Sequence, residues 1–152
     1  MEVLIVGAGA VGRWFATLLD GTISFVDLDP EVADAAAAAA DARAVERETE
    51  QRFDVVVFAV PLPATESAIE THAGKARTAL VDLAGGMVGP IGAMAAVAPD
   101  RERLSLHPLF APDNAPGRVA FVQDAPGEYT DNLLKTLERA GNVLVETTPE
   151  EH

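Results

Sequence analysis

Gly7, Gly9 and Gly12 stand at G-x-G-x-x-G spacing directly after the apolar run Val3-Leu4-Ile5-Val6. Those residue types at that spacing suit the binding of a pyrophosphate. Gly7 permits a tight turn, Gly9 lets the backbone approach an anion with no side chain in the way, and Gly12 lets a following helix lie close to its strand. Ala8, Ala10 and Val11 complete the loop. A helix starting there directs unpaired N–H groups and its positive dipole end at the bound charge, so no lysine is required. Asp27 adds a second signal: it closes the apolar run 22–26 and follows Gly7 at the ~20-residue interval of a carboxylate that holds ribose hydroxyls. A carboxylate accepts hydrogen bonds from a free 2′-hydroxyl and repels a 2′-phosphate, so the pattern favours NAD over NADP. In the competing reading, Asp27 and Asp29 are loop residues leading into Pro30.

Further candidates stand where apolar runs end, because ligands of open α/β sheets bind at the carboxyl ends of strands. The unbroken run 53–60 stops at Pro61 and Pro63, which makes Val60, Pro61 and Leu62 candidates to line a cofactor by shape. Gly85 and Gly86 follow the run 78–83, and paired glycines imply close backbone approach or unusual dihedrals. His107 is the one histidine set at a strand exit beside the expected cleft; capping a strand through backbone hydrogen bonds is its alternative role. His72 falls near the C-terminal end of a helix over 65–71, where the dipole favours a cation, and is expected at the surface.

These positions require alternating strands and helices. Val11, Phe15, Leu18 and Leu19 share one face of a first helix, and Asp20-Gly21 stops it. A second helix is expected over 31–41, where six consecutive alanines lose no side-chain entropy. A short strand over 42–45 and a polar turn through Gln51 follow. Beyond the strands at 53–60 and 78–83 come a helix over 90–97, a strand opening into the loop after His107, a strand over 119–123, a helix over 128–140 capped by Gly141, and a strand over 143–146. The fold class is α/β: a Rossmann-like, doubly wound, mainly parallel sheet with helices on both faces.

The chain has 152 residues, enough for one domain burying ~70% of its unfolded surface. No apolar run approaches the length of a membrane span, and no basic leader precedes the first strand, so a cytoplasmic location is expected. Cysteine is absent, which excludes disulfides and thiolate metal sites, and His72, His107 and His152 have no metal-ligand spacing. With 24 acidic against 11 basic residues the net charge is −13, which argues against nucleic acid as a partner. Self-repulsion of that size is relieved by salt, so the composition suits a halophilic cytoplasm, against the reading of an ordinary acidic protein.

Three blocks give the chain a resemblance to the nucleotide-binding domain of prephenate dehydrogenases, enzymes of tyrosine biosynthesis. They are Gly7 to Gly12 with Asp27; Val81-Asp82-Leu83-Ala84 with Gly89-Pro90-Ile91; and Leu106-His107-Pro108-Leu109-Phe110-Ala111-Pro112-Asp113. The last is the most specific, since the family's loop reads close to His-Pro-Met-Phe-Gly-Pro-Asp. The resemblance implies an NAD-dependent oxidative decarboxylation of prephenate to 4-hydroxyphenylpyruvate, with His107 accepting a hydrogen bond from the ring hydroxyl as hydride leaves. A histidine suits that task because neutral imidazole accepts a proton near pH 7. The family's Ser-Val-Lys is replaced here by Gly85-Gly86-Met87. The resemblance further implies a helical domain beyond residue 152 that forms a homodimer and supplies basic groups for the substrate carboxylates. Residues 1–152 alone are therefore expected to bind NAD without turning over prephenate. An arogenate dehydrogenase, another small NAD(P)-dependent dehydrogenase or reductase, and a noncatalytic NAD-sensing module are the alternatives. None of these readings involves a membrane or a metal.

Overall fold

The computed structural model describes residues 1–151, so His152 lies outside the described residues. Eight strands form a single sheet: β1 (Glu2–Val6), β2 (Thr22–Val26), β3 (Arg43–Ala44), β4 (Phe53–Phe58), β5 (Ala76–Asp82), β6 (Glu102–Pro108), β7 (Arg118–Ala125) and β8 (Val143–Glu146). Their order is β3-β2-β1-β4-β5-β6-β7-β8. The first six are parallel, β7 runs antiparallel to β6, and β8 is parallel to β7. The mainly parallel, doubly wound sheet expected from the alternation is thus present, with a reversed pair added at one edge.

Strand alternation divides the core in two, because successive side chains point to opposite faces. Val3 and Ile5 face one layer with Phe15 of α1 (Ala10–Leu18), Ala33 and Ala37 of α2 (Pro30–Ala40), and Leu133 and Leu137 of α5 (Glu128–Arg139). Leu4 and Val6 face the other with Ile69 of α3 (Leu62–His72) and Ile91 and Met94 of α4 (Val88–Val97). β1, β4 and β5 are buried on both faces over the stretches 3–6, 55–58 and 79–81, which is why those stretches run apolar without alternation. In α2, alanines at the buried positions let the helix lie close to the sheet. Its start is set by Asp29, whose side chain accepts from the Glu31 N–H at 3.0 Å, with Pro30 in the first turn.

Both ends of α3 differ from the sequence reading, and most other elements shift by one or two residues. α3 begins at Leu62 rather than near Thr65, because Pro63 sits in the first turn, where its missing N–H would have no intrahelical partner. It also runs on to His72, which is 6% exposed rather than at the surface. Thr65, Ile69 and His72 are the buried residues of α3, at i, i+4 and i+7, so the histidine continues the helix's inner stripe. Among the described residues no helix is long and apolar enough to cross a membrane, and no group of three or more potential ligands could hold a metal ion.

Candidate active site

The strand order reverses between β1 and β4, where a crevice opens beyond the carboxyl ends of the strands. A cleft of about 930 Å³ lies there, walled by Gly7, Gly9, Val26, Asp27, Val60 and Pro61 among others. The three loop glycines have different surroundings. Gly7 takes φ +101°, and its N–H donates to the Val26 carbonyl at 2.8 Å, tying the turn to β2. A Cβ there would strike the Ala59 carbonyl. At Gly9 a Cβ would meet nothing within 4 Å, so the backbone faces open space at the N-terminus of α1. At Gly12 it would strike the Gly7 carbonyl and come within 3.1 Å of Ile5 Cγ2, so α1 rests directly on β1. Ala8 is buried, Ala10 is exposed and Val11 is half-buried.

Asp27 links the glycine loop to the loop after β2. Its Oδ2 accepts from the Ala8 N–H at 2.8 Å and its Oδ1 from the Asp29 N–H at 3.0 Å. An ionised carboxylate accepts about four hydrogen bonds, so these two leave capacity for hydroxyl donors.

The second half of the site stands on β5 and β6, outside the lining of that cleft. His107 lies near the end of β6, in register with Ala120 of β7. Its imidazole covers Gly85. The glycine has φ +85°, and a Cβ there would lie 2.8 Å from His107 Cδ2 and 2.9 Å from Nε2. The position occupied by serine in the family motif therefore has neither the space nor the backbone dihedral for one here. Leu62 does not line the cleft either: it is 49% exposed and packs against Gly86, where a Cβ would meet its Cδ1.

Asp82 was part of a recognised block but had no role assigned from sequence. It is fully buried, and its two oxygens hold the two backbones that carry Gly85 and His107. Oδ1 accepts from the Ala84 N–H at 2.8 Å, and Oδ2 accepts from the Ser105 hydroxyl at 2.7 Å. Ser105 faces Asp82 across the β5–β6 ladder, two residues before His107. Burial raises the Asp82 carboxyl to a pKa of about 6, against the lowering effect of its hydrogen bonds to Ala84 and Ser105. The loop after His107 is anchored in turn on α1. Trp14 meets Phe110 edge to face at 5.5 Å, so the helix that starts at the glycine loop also supports the histidine loop.

His72 lines the cleft at the α3 side, together with Arg47 and Glu48 from the segment after β3. Burial, then the charges of Lys75 and Arg47, lower its pKa to about 4. At neutral pH it is an uncharged polar group in the cleft wall, and its helical spacing with Thr65 and Ile69 was the signal that could have located it.

No protein-family profile matches the chain. A 4-amino-4-deoxyprephenate dehydrogenase of Streptomyces pristinaespiralis is 34% identical over 139 residues, covering 82% of this chain and 47% of the relative. The chain thus spans about half the length of that relative. Among solved structures, prephenate dehydrogenase from A. aeolicus, in complex with hydroxyphenyl propionate and NAD+, superposes with a TM-score of 0.83 at 17% identity. That match covers 100% of this chain and 61% of the other. A pyrroline-5-carboxylate reductase from Coxiella burnetii gives 0.75 at 16% identity, over 96% of this chain and 58% of the other. At such identities the structural matches establish the Rossmann-like fold, which dehydrogenases and reductases share. The sequence relative narrows the likeness further: over 82% of its length the chain is similar to a 4-amino-4-deoxyprephenate dehydrogenase, which supports a place beside the prephenate dehydrogenases.

Proposed function

We propose that this chain binds NAD and forms the nucleotide half of a dehydrogenase that oxidatively decarboxylates prephenate. The observation that carries the reading is the seating of His107 on Gly85, at the same edge of the sheet as the glycine loop and Asp27. Gly9's open backbone and the N-terminus of α1 fit a pyrophosphate, and Asp27 fits ribose hydroxyls. A bound nicotinamide would supply the oxidant, an acceptor for the hydride of the hydroxyl-bearing ring carbon. His107 accepts the hydrogen bond of that hydroxyl, taking a share of its proton while carbonyl character develops. The carbon–carbon bond to the ring carboxylate then breaks, carbon dioxide leaves, its electron pair completes the aromatic ring, and the proton remains with the phenol oxygen.

A helical domain beyond residue 152 would supply the cationic groups for the substrate carboxylates and the dimer contact. A second reading, a 4-amino-substituted prephenate as substrate, is favoured by the 34% identity to the Streptomyces enzyme; His107 would then accept from an amine N–H. Two measurements test the proposal. Calorimetric titration of residues 1–152 should give binding of NAD and weaker binding of NADP. In the full-length protein, His107→Asn should reduce kcat steeply with prephenate or its 4-amino analogue while leaving NAD affinity nearly constant. Retained turnover removes His107 from the reaction, whereas NAD binding with no turnover in the unaltered full-length protein leaves the noncatalytic NAD-sensing reading.

A further inference from the structure

The cleft runs along α3, where Ala64, Ala68 and His72 line it, and is bounded on the β3 side by Ala44 and Val45. Small and apolar side chains from these two elements leave room for a flat ring between them. His72 adds a directional polar group to that slot. Lys75 Nζ lies 2.7 Å from His72 Nδ1 and 2.6 Å from the Arg47 carbonyl oxygen. An ammonium has only protons to offer, so Nδ1 is the acceptor and the neutral ring carries its proton on Nε2. Among the described residues, the one buried side-chain polar atom without a partner is Ser24 Oγ. The ring's hydrogen bond among the described residues is the one at Nδ1, and His72 is one of the residues that wall the cleft.

We propose that His72 reads the nucleotide base: its Nε2–H donates to an acceptor nitrogen on the edge of an adenine seated between α3 and β3. This makes it a specificity-determining residue, with Lys75 and the Arg47 carbonyl as the groups that fix its tautomer. The inference rests on the NAD reading above. It assigns a donor at the base end of the cleft, complementary to the phosphate donors of the glycine loop and the ribose acceptor Asp27.

Titration of the 152-residue chain with NAD and with ADP-ribose, which retains the adenosine half, tests the assignment. His72→Phe keeps a ring but removes the donor, and both affinities should fall about tenfold, ~1.4 kcal/mol. His72→Gln keeps an amide N–H and should recover part of the loss. In the wild-type chain, ¹⁵N NMR of the imidazole should show the Nε2-protonated tautomer, with the Nε2 resonance moving when ADP-ribose is added. That readout does not depend on either variant folding. An Nδ1-protonated ring, an unmoved Nε2 resonance, or unchanged affinity in a folded His72→Phe overturns the role of His72 while NAD binding stands. Failure of the wild-type chain to bind both NAD and ADP-ribose overturns the nucleotide reading itself, and this inference with it.

Discussion

Restoring the family serine at position 85 should be destabilising, and the structure indicates by how much. Gly85 has φ +85°, so any L side chain there takes on left-handed strain of about 1–2 kcal/mol. The new Cβ would also lie 2.8 Å from His107 Cδ2 and 3.2 Å from Cγ, well inside contact distance, and overpacking of that kind costs about 1–3 kcal/mol. Gly85→Ser should therefore lower unfolding free energy by roughly 2–5 kcal/mol, the sum of those two ranges. Urea denaturation of Gly85→Ser, His107→Ala and the double variant separates the two contributions. Removing the imidazole relieves the collision and leaves the backbone strain, so the pair should couple by about 1–3 kcal/mol, with the double variant more stable than additivity predicts. Full additivity would refute contact between His107 and position 85. A Gly85→Ser midpoint equal to wild type would refute both the contact and the strain.

Asp82 and His72 should give the pH–stability curve opposing slopes. The carboxyl of Asp82 is raised to about 6, so the native state holds a proton that the unfolded chain releases. Its contribution is complete below the unfolded value of 3.8 and is lost as pH rises through about 6, ~3 kcal/mol in all. Asp82→Asn should abolish that fall in denaturation series between pH 4 and 7; an unchanged slope would show that Asp82 titrates normally. His72, lowered to about 4, favours the fold above the unfolded value of 6.5 and loses that contribution as pH falls toward 4. Solvent in the cleft reduces it to about 2 kcal/mol. His72→Gln should remove this acid-side loss, and its persistence would assign the loss elsewhere. With a net charge of −13, the unfolding midpoint should rise from low to molar KCl as repulsion is screened; a flat midpoint would refute the salt-adapted reading.

Much of the architecture is legible locally. The run Val3 to Val6, the glycine loop and the apolar stretch at Phe53 to Phe58 carry their strand and turn character in residue type and spacing. The alanine segment carries its helix in the same way. The stretch near Pro63 was less legible, since proline there reads equally as a loop residue or as the first turn of a helix.

What the sequence by itself determined is the set of short-range features: the loop glycines, the carboxylate after β2, the order of strands and helices, and the family loop around His107. Its spacing also held the burial of His72, though the position near a helix end suggested a surface cation instead. Tertiary structure alone decided which distant residues meet. Only the β5–β6 register brings Ser105 to Asp82, and only that pairing sets the His107 ring on Gly85. Only the packing of the loop after β6 onto α1 joins Phe110 to Trp14, and only the return of the chain after β3 sets the Arg47 carbonyl on Lys75. Periodicity reports the environment of a residue along its own element, whereas a contact between elements depends on register and on helix packing, which no local pattern encodes.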